Sequence, residues 1–256
     1  MQNNIFLTLF VGQCIVKLQE IDSTNSYLKK LLSNSTPLLD GTVIMAERQF
    51  AGRGQSDNIW ESEFGKNLTF SIYLKSSFVA ANHQFELNKV ISLGIIDTLQ
   101  PLLGKACKIK WPNDIYYHDK KIGGILIENV TKGYQLKESI VGIGLNVNQK
   151  NFNSLENKAS SISKILQQDY DLEKLLAQIC LNIECRYLQL KADKTGILAH
   201  DYLQNLYRLN ELHFFQLDAK QIKGTIKGVN SQGKLILETE YDMKELDLRE
   251  VKFIID

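Results

Sequence analysis

Apolar positions along the chain fall into helical and alternating stretches. Tyr27, Leu28, Leu31 and Leu32 recur at helical spacing, and Ser23-Thr24-Asn25 stands directly ahead of them, so a helix is predicted to start at that cluster. Gly41–Ala46 is a continuous apolar run and Asn67–Leu74 alternates, which predicts two strands. Segment 84–103 places Phe85, Leu87, Val90, Ile91, Ile95 and Leu99 on a wide apolar face, predicting a helix that Pro101 ends or kinks. Lys108–Asp114 reads as a short strand entering a proline turn. Ile115–Tyr117 and Ile122–Glu128 flank a polar turn and predict a hairpin, and Ser139–Val147 predicts another apolar strand. Residues 171–191 and 197–207 read as helices. The run Ile5–Val11 reads as a strand, being far too short to cross a bilayer.

From about Leu212 the texture changes to short β-like runs, Phe214–Leu217, Ile222–Ile226 and Lys234–Leu237, with the turn signal Asn230-Ser231-Gln232-Gly233 between two of them. This predicts a larger body over residues 1–209 and a small β-barrel-like module over 210–256. The 256 residues are long enough for that division, and 44% hydrophobic with 23% charged residues is ordinary globular composition. A net charge of +1 argues against binding DNA through bulk electrostatics but leaves a local basic pocket open. The cysteines Cys14, Cys107, Cys180 and Cys185 show no CxxC spacing and no secretory signal precedes them, so reduced thiols and a cytoplasmic location are expected, with no membrane association. The four histidines form no metal-ligand pattern.

Candidate chemistry is concentrated between the elements. Each cluster has a plain structural explanation: Ser23-Thr24-Asn25 as a helix cap, Gly52-Arg53-Gly54 as a turn, Lys121 as a solvated charge, Gly123-Gly124 as a close strand approach, and Asn146 as a strand-end residue. The Gly52-x-Gly54 pattern also fails both the six-residue dinucleotide motif and the phosphate-binding motif that ends in Lys-Ser/Thr. Their order tells more. Hydroxyls at a helix start are followed by a strand ending in Gln49 and by a loop whose glycines let backbone N–H groups approach an anion beside the forked donor of Arg53. A Trp111-Pro112-Asn113-Asp114 turn, Lys121 with two glycines, and Asn146 after a glycine-rich strand complete the set.

These segments resemble the biotin–protein ligase family. The resemblance is carried by Asp22–Asn25, Arg48–Gly54, Trp60-x-Ser62-x-Phe64-Gly65-x-Asn67-Leu68, Lys110–Asp114, Lys121–Glu128 and Gly142–Asn148, which follow the family's order and approximate spacing over nearly the whole chain. It implies an α+β fold: a mixed β-sheet layered with helices, as in class II aminoacyl-tRNA synthetases, plus a C-terminal SH3-like barrel. It implies an enzyme that joins biotin to ATP, with Mg²⁺, as biotinoyl-adenylate. The enzyme then transfers biotin to a lysine of a biotin carboxyl carrier protein domain.

By the same resemblance Ser23, Thr24 and Gln49 hold the ureido ring, Gly124 passes close to the bicycle, and Asn25 and Gly123 also fall on the biotin side. Backbone donors of Gly52, Arg53 and Gly54 face the biotin carboxylate. Lys121 bridges carboxylate and α-phosphate, with Asp114 orienting it or touching Mg²⁺, and Arg53, Lys121 and Asp114 form the catalytic set. Arg53, Gly54, Gln55, Trp60, Lys110, Asn113 and Asn146 fall on the nucleotide side. No protein metal site is expected. Two departures stand out. Where the family loop runs roughly GRGRxGRxW, this chain has Gln55 and Asn58 for two arginines and Asp57 for a glycine. Only about twenty residues precede Ser23, too few for the DNA-binding domain that some members carry, so a monofunctional enzyme without DNA binding is expected. Members dimerise through a sheet edge, which makes strand 139–148 the candidate edge for a homodimer. The competing readings are a lipoate–protein ligase, whose apolar dithiolane would not need the ureido-matching polar groups, and a non-enzymatic biotin-binding module, which would not need Arg53 and Lys121.

Overall fold

The structure, a computed structural model, describes residues 7–34, 37–55, 58–218 and 220–255. In chain order it begins β1 (Ile15–Ile21), α1 (Thr24–Ser33), β2 (Val43–Gln49), β3 (Leu68–Leu74), α2 (Phe85–Leu103), β4 (Cys107–Lys110), β5 (Asp114–Tyr117), β6 (Lys120–Lys132) and β7 (Gln135–Leu145). Three helices follow, α3 (Ile162–Leu166), α4 (Leu172–Lys191) and α5 (Thr195–Gln204). The chain closes with β8 (Leu212–Leu217), β9 (Lys220–Val229), β10 (Leu235–Thr239), β11 (Met243–Leu246) and β12 (Lys252–Phe253). The first seven strands form one sheet in the order β1-β2-β3-β7-β6-β5-β4. Only β1 and β2 pair in parallel, so the sheet is mixed. The last five form an antiparallel sheet, β11-β10-β9-β8-β12, consistent with an SH3-like module.

Strand periodicity divides the large sheet into two unlike faces. Val43, Met45, Phe70, Ile72, Val141, Ile143 and Leu145 join α2 and α4 in the main core. On the other face, Ile44, Tyr73 and Ile140 pack with Leu28 of α1 in a smaller cluster. β3 is buried at every residue because it is covered on both sides, which is why its sequence is so apolar.

Several expectations need correction. Residues 7–11 form no strand. Ile5 and Phe6 lie outside the described residues, and the backbone N–H groups of Leu9, Phe10 and Val11 go to the Glu184 carboxylate instead of a ladder. Pro101 does not end its helix: it lies in the last turn, and α2 runs on to Leu103 with Gly104 at φ +76° closing it. The final helix ends at Gln204, because Leu206 leaves it to bridge Ile109. Strand 139–148 is not a sheet edge: β7 lies between β3 and β6 and is hydrogen-bonded on both sides. All four cysteines are free thiols, and burial pushes those of Cys107 and Cys180 up to about 12. Among the described residues no helix is long and apolar enough to cross a membrane.

The two sheets meet at the Trp111 turn. The Trp111 indole N–H donates to the Gly233 carbonyl at 2.9 Å, and the Phe85 ring lies where a Cβ of residue 233 would stand. Glycine is needed there both for that contact and for its φ of +89°.

Candidate functional site

A cavity of about 570 Å³ opens on the α1 face of the large sheet. Its floor exists because one face of three central strands is small. Gly124 pairs with Gly144, and Gly142 pairs with both Leu126 and Ser71. Neighbours of opposite parity, Ile125, Ile143 and Ile72, belong to the core beneath. The missing side chains are replaced by functional ones. A Cβ on Gly142 would collide with Asn25, one on Gly144 would overlap the Trp60 indole, and one on Gly124 would stand 3.2 Å from Lys121 Nζ.

One end of the cavity is a buried polar network. Thr24 donates its backbone N–H (2.7 Å) and its hydroxyl (3.0 Å) to Gln49 Oε1. The Ser71 hydroxyl lies 2.6 Å from both the Thr24 hydroxyl and Asn25 Oδ1. Asn25 Nδ2 donates to Glu128 at 2.8 Å. With its oxygen taken by Thr24, Gln49 keeps its amide N–H₂ for a ligand. Ser23 stands at the N-cap position, yet its hydroxyl makes no cap bond. It lines the cavity instead.

The other end is cationic. Arg53, Lys110, Lys121, Arg249 and Lys252 line the cavity against one carboxylate, Asp114. Lys121 Nζ lies 2.6 Å from Asp114 Oδ1 and 5.9 Å from the centroid of a Trp60 ring. Burial pulls the Lys110 ammonium below the usual lysine range, an effect that Asp114 opposes and Lys121 and Arg208 reinforce. Its Nζ lies over Phe253 (4.7 Å) and Tyr116 (5.2 Å). Arg53 Nη2 meets Glu128 at 2.9 Å. Burial alone would raise the Glu128 carboxyl, but hydrogen bonds from Lys29 and Asn25 and the charge of Arg53 outweigh it and hold it below the ordinary range.

Of the residues singled out in the sequence, Ser23, Thr24, Asn25, Gln49, Arg53, Gly54, Gln55, Trp60, Lys110, Asn113, Asp114, Lys121 and Gly124 line the cavity together. Gly52, Gly123 and Asn146 do not. Gly52 packs under Trp60, Gly123 under Gly144 and Leu145, and Asn146 donates to the Ser160 carbonyl at 3.1 Å, holding the chain after β7. Asn113 reaches the cavity wall while its amide donates to the Ile125 carbonyl. The Gly54 N–H is committed to Asn58 O at 2.7 Å, closing the loop on itself rather than facing an anion. Ser56 and Asp57 lie outside the described residues. The sequence reading missed Ser71, which looks like one more residue of an apolar strand, and Arg249, Lys252 and Phe253, which only folding of the small sheet brings to the cavity.

The sequence model of the biotin/lipoate A/B protein ligase family matches residues 18–146, half of the chain and every motif that builds this cavity except the C-terminal wall. The chain belongs to that family. It is 30% identical over 237 residues to the bifunctional ligase/repressor BirA of Escherichia coli strain K12, covering 90% of this chain and 70% of BirA. It is 28% identical over 246 residues to the biotin–[acetyl-CoA-carboxylase] ligase of Paracoccus denitrificans, covering 92% of this chain and 99% of that one. Among solved structures, the biotin protein ligase of Aquifex aeolicus in complex with biotin and ATP superposes with a TM-score of 0.80 at 26% identity, covering 95% and 100% of the two chains. This biotin/lipoate ligase family member thus carries a neutral polar end and a cationic end in one cavity.

Proposed function

We propose that this protein is an ATP-dependent biotin–protein ligase. The observation that carries the reading is one cavity with a neutral hydrogen-bonding end, Ser23-Thr24-Gln49, and a cationic end built on Arg53, Lys110 and Lys121. A ureido ring has one carbonyl and two N–H groups. The hydroxyls of Ser23 and Thr24 and the amide of Gln49 can satisfy both kinds, at a cost of about 1–3 kcal/mol for any group left unpaired. The first step joins a biotin carboxylate oxygen to the α-phosphorus of ATP and expels pyrophosphate. The second joins the amine of a carrier lysine to the acyl carbon, expelling AMP as the amine loses a proton. Both reactants of the first step are anions, so Lys121 and Arg53 serve by neutralising charge where they meet. Asp114, already paired to Lys121, orients that ammonium rather than holding a metal. A Mg²⁺ ion would arrive on ATP as part of the substrate. Residues 1–209 form the catalytic body, and the 210–256 module adds Arg249, Lys252 and Phe253 as the far wall.

Incubating the protein with biotin and ATP is expected to release pyrophosphate, and adding a biotin carboxyl carrier domain is expected to shift that domain's mass by one biotinyl group. Pyrophosphate with lipoate but not with biotin would instead assign the neighbouring chemistry of the same family.

The loop sets a second expectation. Asn58, standing where the family loop has an arginine, donates its amide to Gln55 O at 2.8 Å, so it braces the loop and offers no charge to a phosphate. Fewer cations over the adenylate weaken its retention. This enzyme is expected to biotinylate bystander protein more than a member with the full arginine set. Equal or lower bystander labelling, measured side by side, would sink that expectation.

A further inference from the structure

Glu128 ends the motif that begins at Lys121, and nothing in the chemistry above uses it. Its carboxylate gathers donors from separate parts of the chain: Asn25 Nδ2 at 2.8 Å and Lys29 Nζ at 2.6 Å from α1, and Arg53 Nη2 at 2.9 Å from the loop. The Glu128 side chain is 20% exposed, so these contacts are partly shielded from water. Asn25 Oδ1 lies 2.6 Å from the Ser71 hydroxyl, Ser71 lies 2.6 Å from the Thr24 hydroxyl, and the Thr24 backbone N–H donates to Gln49 Oε1. One hydrogen-bonded chain therefore runs from the end of the cavity that takes a neutral polar ring to the arginine at the charged end. Among the described residues of the loop, 50–55 and 58–60, Arg53 is the only cation.

We propose that Glu128 is a positioning residue that holds Arg53 over the cavity before substrates arrive and ties it to the framework carrying Thr24 and Gln49. The proposal rests on the reading of Arg53 as facing the carboxylate–phosphate junction. An unrestrained arginine must give up rotamer freedom each time it meets a phosphate; held by Glu128, it has done so in advance. The pairing does not disarm it. Glu128 takes one N–H of a guanidinium that has five, and Lys29 shares the same carboxylate, so the trio keeps a net positive charge. Nor is stability the point: the Arg53 side chain is 41% exposed, and ion pairs this open contribute little to folding.

The test is a double-mutant cycle on the full chain with Glu128→Gln, Arg53→Met and both together, reading pyrophosphate formation, biotin binding without ATP, and the melting midpoint. Glu128→Gln alone is expected to lower kcat/KM for ATP about tenfold, with biotin binding and melting nearly unchanged. In the Arg53→Met background the same change is expected to cost less than about twofold, because its effect runs through the arginine. Glu128→Asp is expected to recover part of the loss, and it carries the test should Glu128→Gln melt early. An equal loss in both backgrounds, or no loss from Glu128→Gln while Arg53→Met is costly, overturns the positioning role and leaves the role of Arg53 standing. No loss from Arg53→Met overturns the reading of Arg53, and the proposal falls with it.

Discussion

Lys121→Met is expected to slow pyrophosphate formation by about 10²–10³-fold, the loss that follows removal of one pre-set donor to a developing anion in a partly shielded site. The ammonium is fixed from several sides: Asp114 Oδ1 at 2.6 Å, the Trp60 indole beneath it, and the bare Cα of Gly124 alongside. Its backbone is anchored too, donating to Lys158 O and accepting from Ser160 N. Removing the charge has a second cost, since Asp114 becomes an unpaired carboxylate at the end of the cavity that must receive a triphosphate. Part of the loss should therefore appear as a higher KM for ATP, and adding Asp114→Asn to Lys121→Met should recover that part but not kcat. The side chain is 34% exposed, so folding should be little affected. A melting midpoint near that of the unaltered protein and a rate loss below about tenfold would together remove Lys121 from the adenylation step.

Lys121 was legible because its neighbours in sequence are also its neighbours in space. Asp114, Gly124 and Lys121 belong to one hairpin, β5 pairing with β6, so a short motif preserves the geometry. The same locality made Ser23–Asn25, the Gly52–Gly54 turn and the Trp111 turn recognisable, and the helical period of α2 and the alternation of β3 were visible for the ordinary reason that one period repeats. What stayed hidden depends on chain segments that meet only in the folded state. Ser71 reads as a strand residue until Thr24 and Asn25 are placed beside it. Arg249 and Lys252 are two among many charges of a polar C-terminus until the Gly233 turn docks on Trp111 and brings them round. Strand β7 could be recognised as a strand, but no pattern within it said that β3 and β6 would flank it. The floor of the cavity is an intermediate case. In Gly142-Ile143-Gly144-Leu145 the alternation of nothing with bulk already encodes a hollow face over a filled one, yet only the pairing of Gly144 with Gly124 and of Gly142 with Ser71 makes it a floor.

Residues 7–11 form no strand for a reason that yields the largest expected change in stability. Glu184, on α4 and 3% exposed, accepts the N–H groups of Leu9 (2.7 Å), Phe10 (2.7 Å) and Val11 (2.9 Å). Successive backbone N–H groups turned toward one point make an anion cradle, here filled by the protein's own carboxylate. The turn it holds places fully buried Val11 in the main core and the Phe10 ring 5.8 Å from that of Tyr187. Gly12 then bonds Gly41 O at 2.8 Å, ahead of β1. Glu184→Ala removes the acceptor of all three donors, of which that of Val11 is buried and those of Leu9 and Phe10 are partly open to water. Leaving a buried donor unpaired costs about 1–3 kcal/mol, a sizeable share of the roughly 5–15 kcal/mol that holds a domain together. Glu184→Gln keeps the shape but turns an N–H₂ toward backbone donors, so it should fall between the alanine variant and the unaltered protein. Urea unfolding is expected to show the loss as a lower midpoint, and hydrogen exchange should show residues 10 and 11 losing protection before β3 does. Below the transition, pyrophosphate formation should be unchanged, because α4 packs on the core face and the cavity opens on the other. A loss below about 1 kcal/mol would mean that water satisfies these N–H groups nearly as well, and that the carboxylate is not what shapes the N-terminal turn.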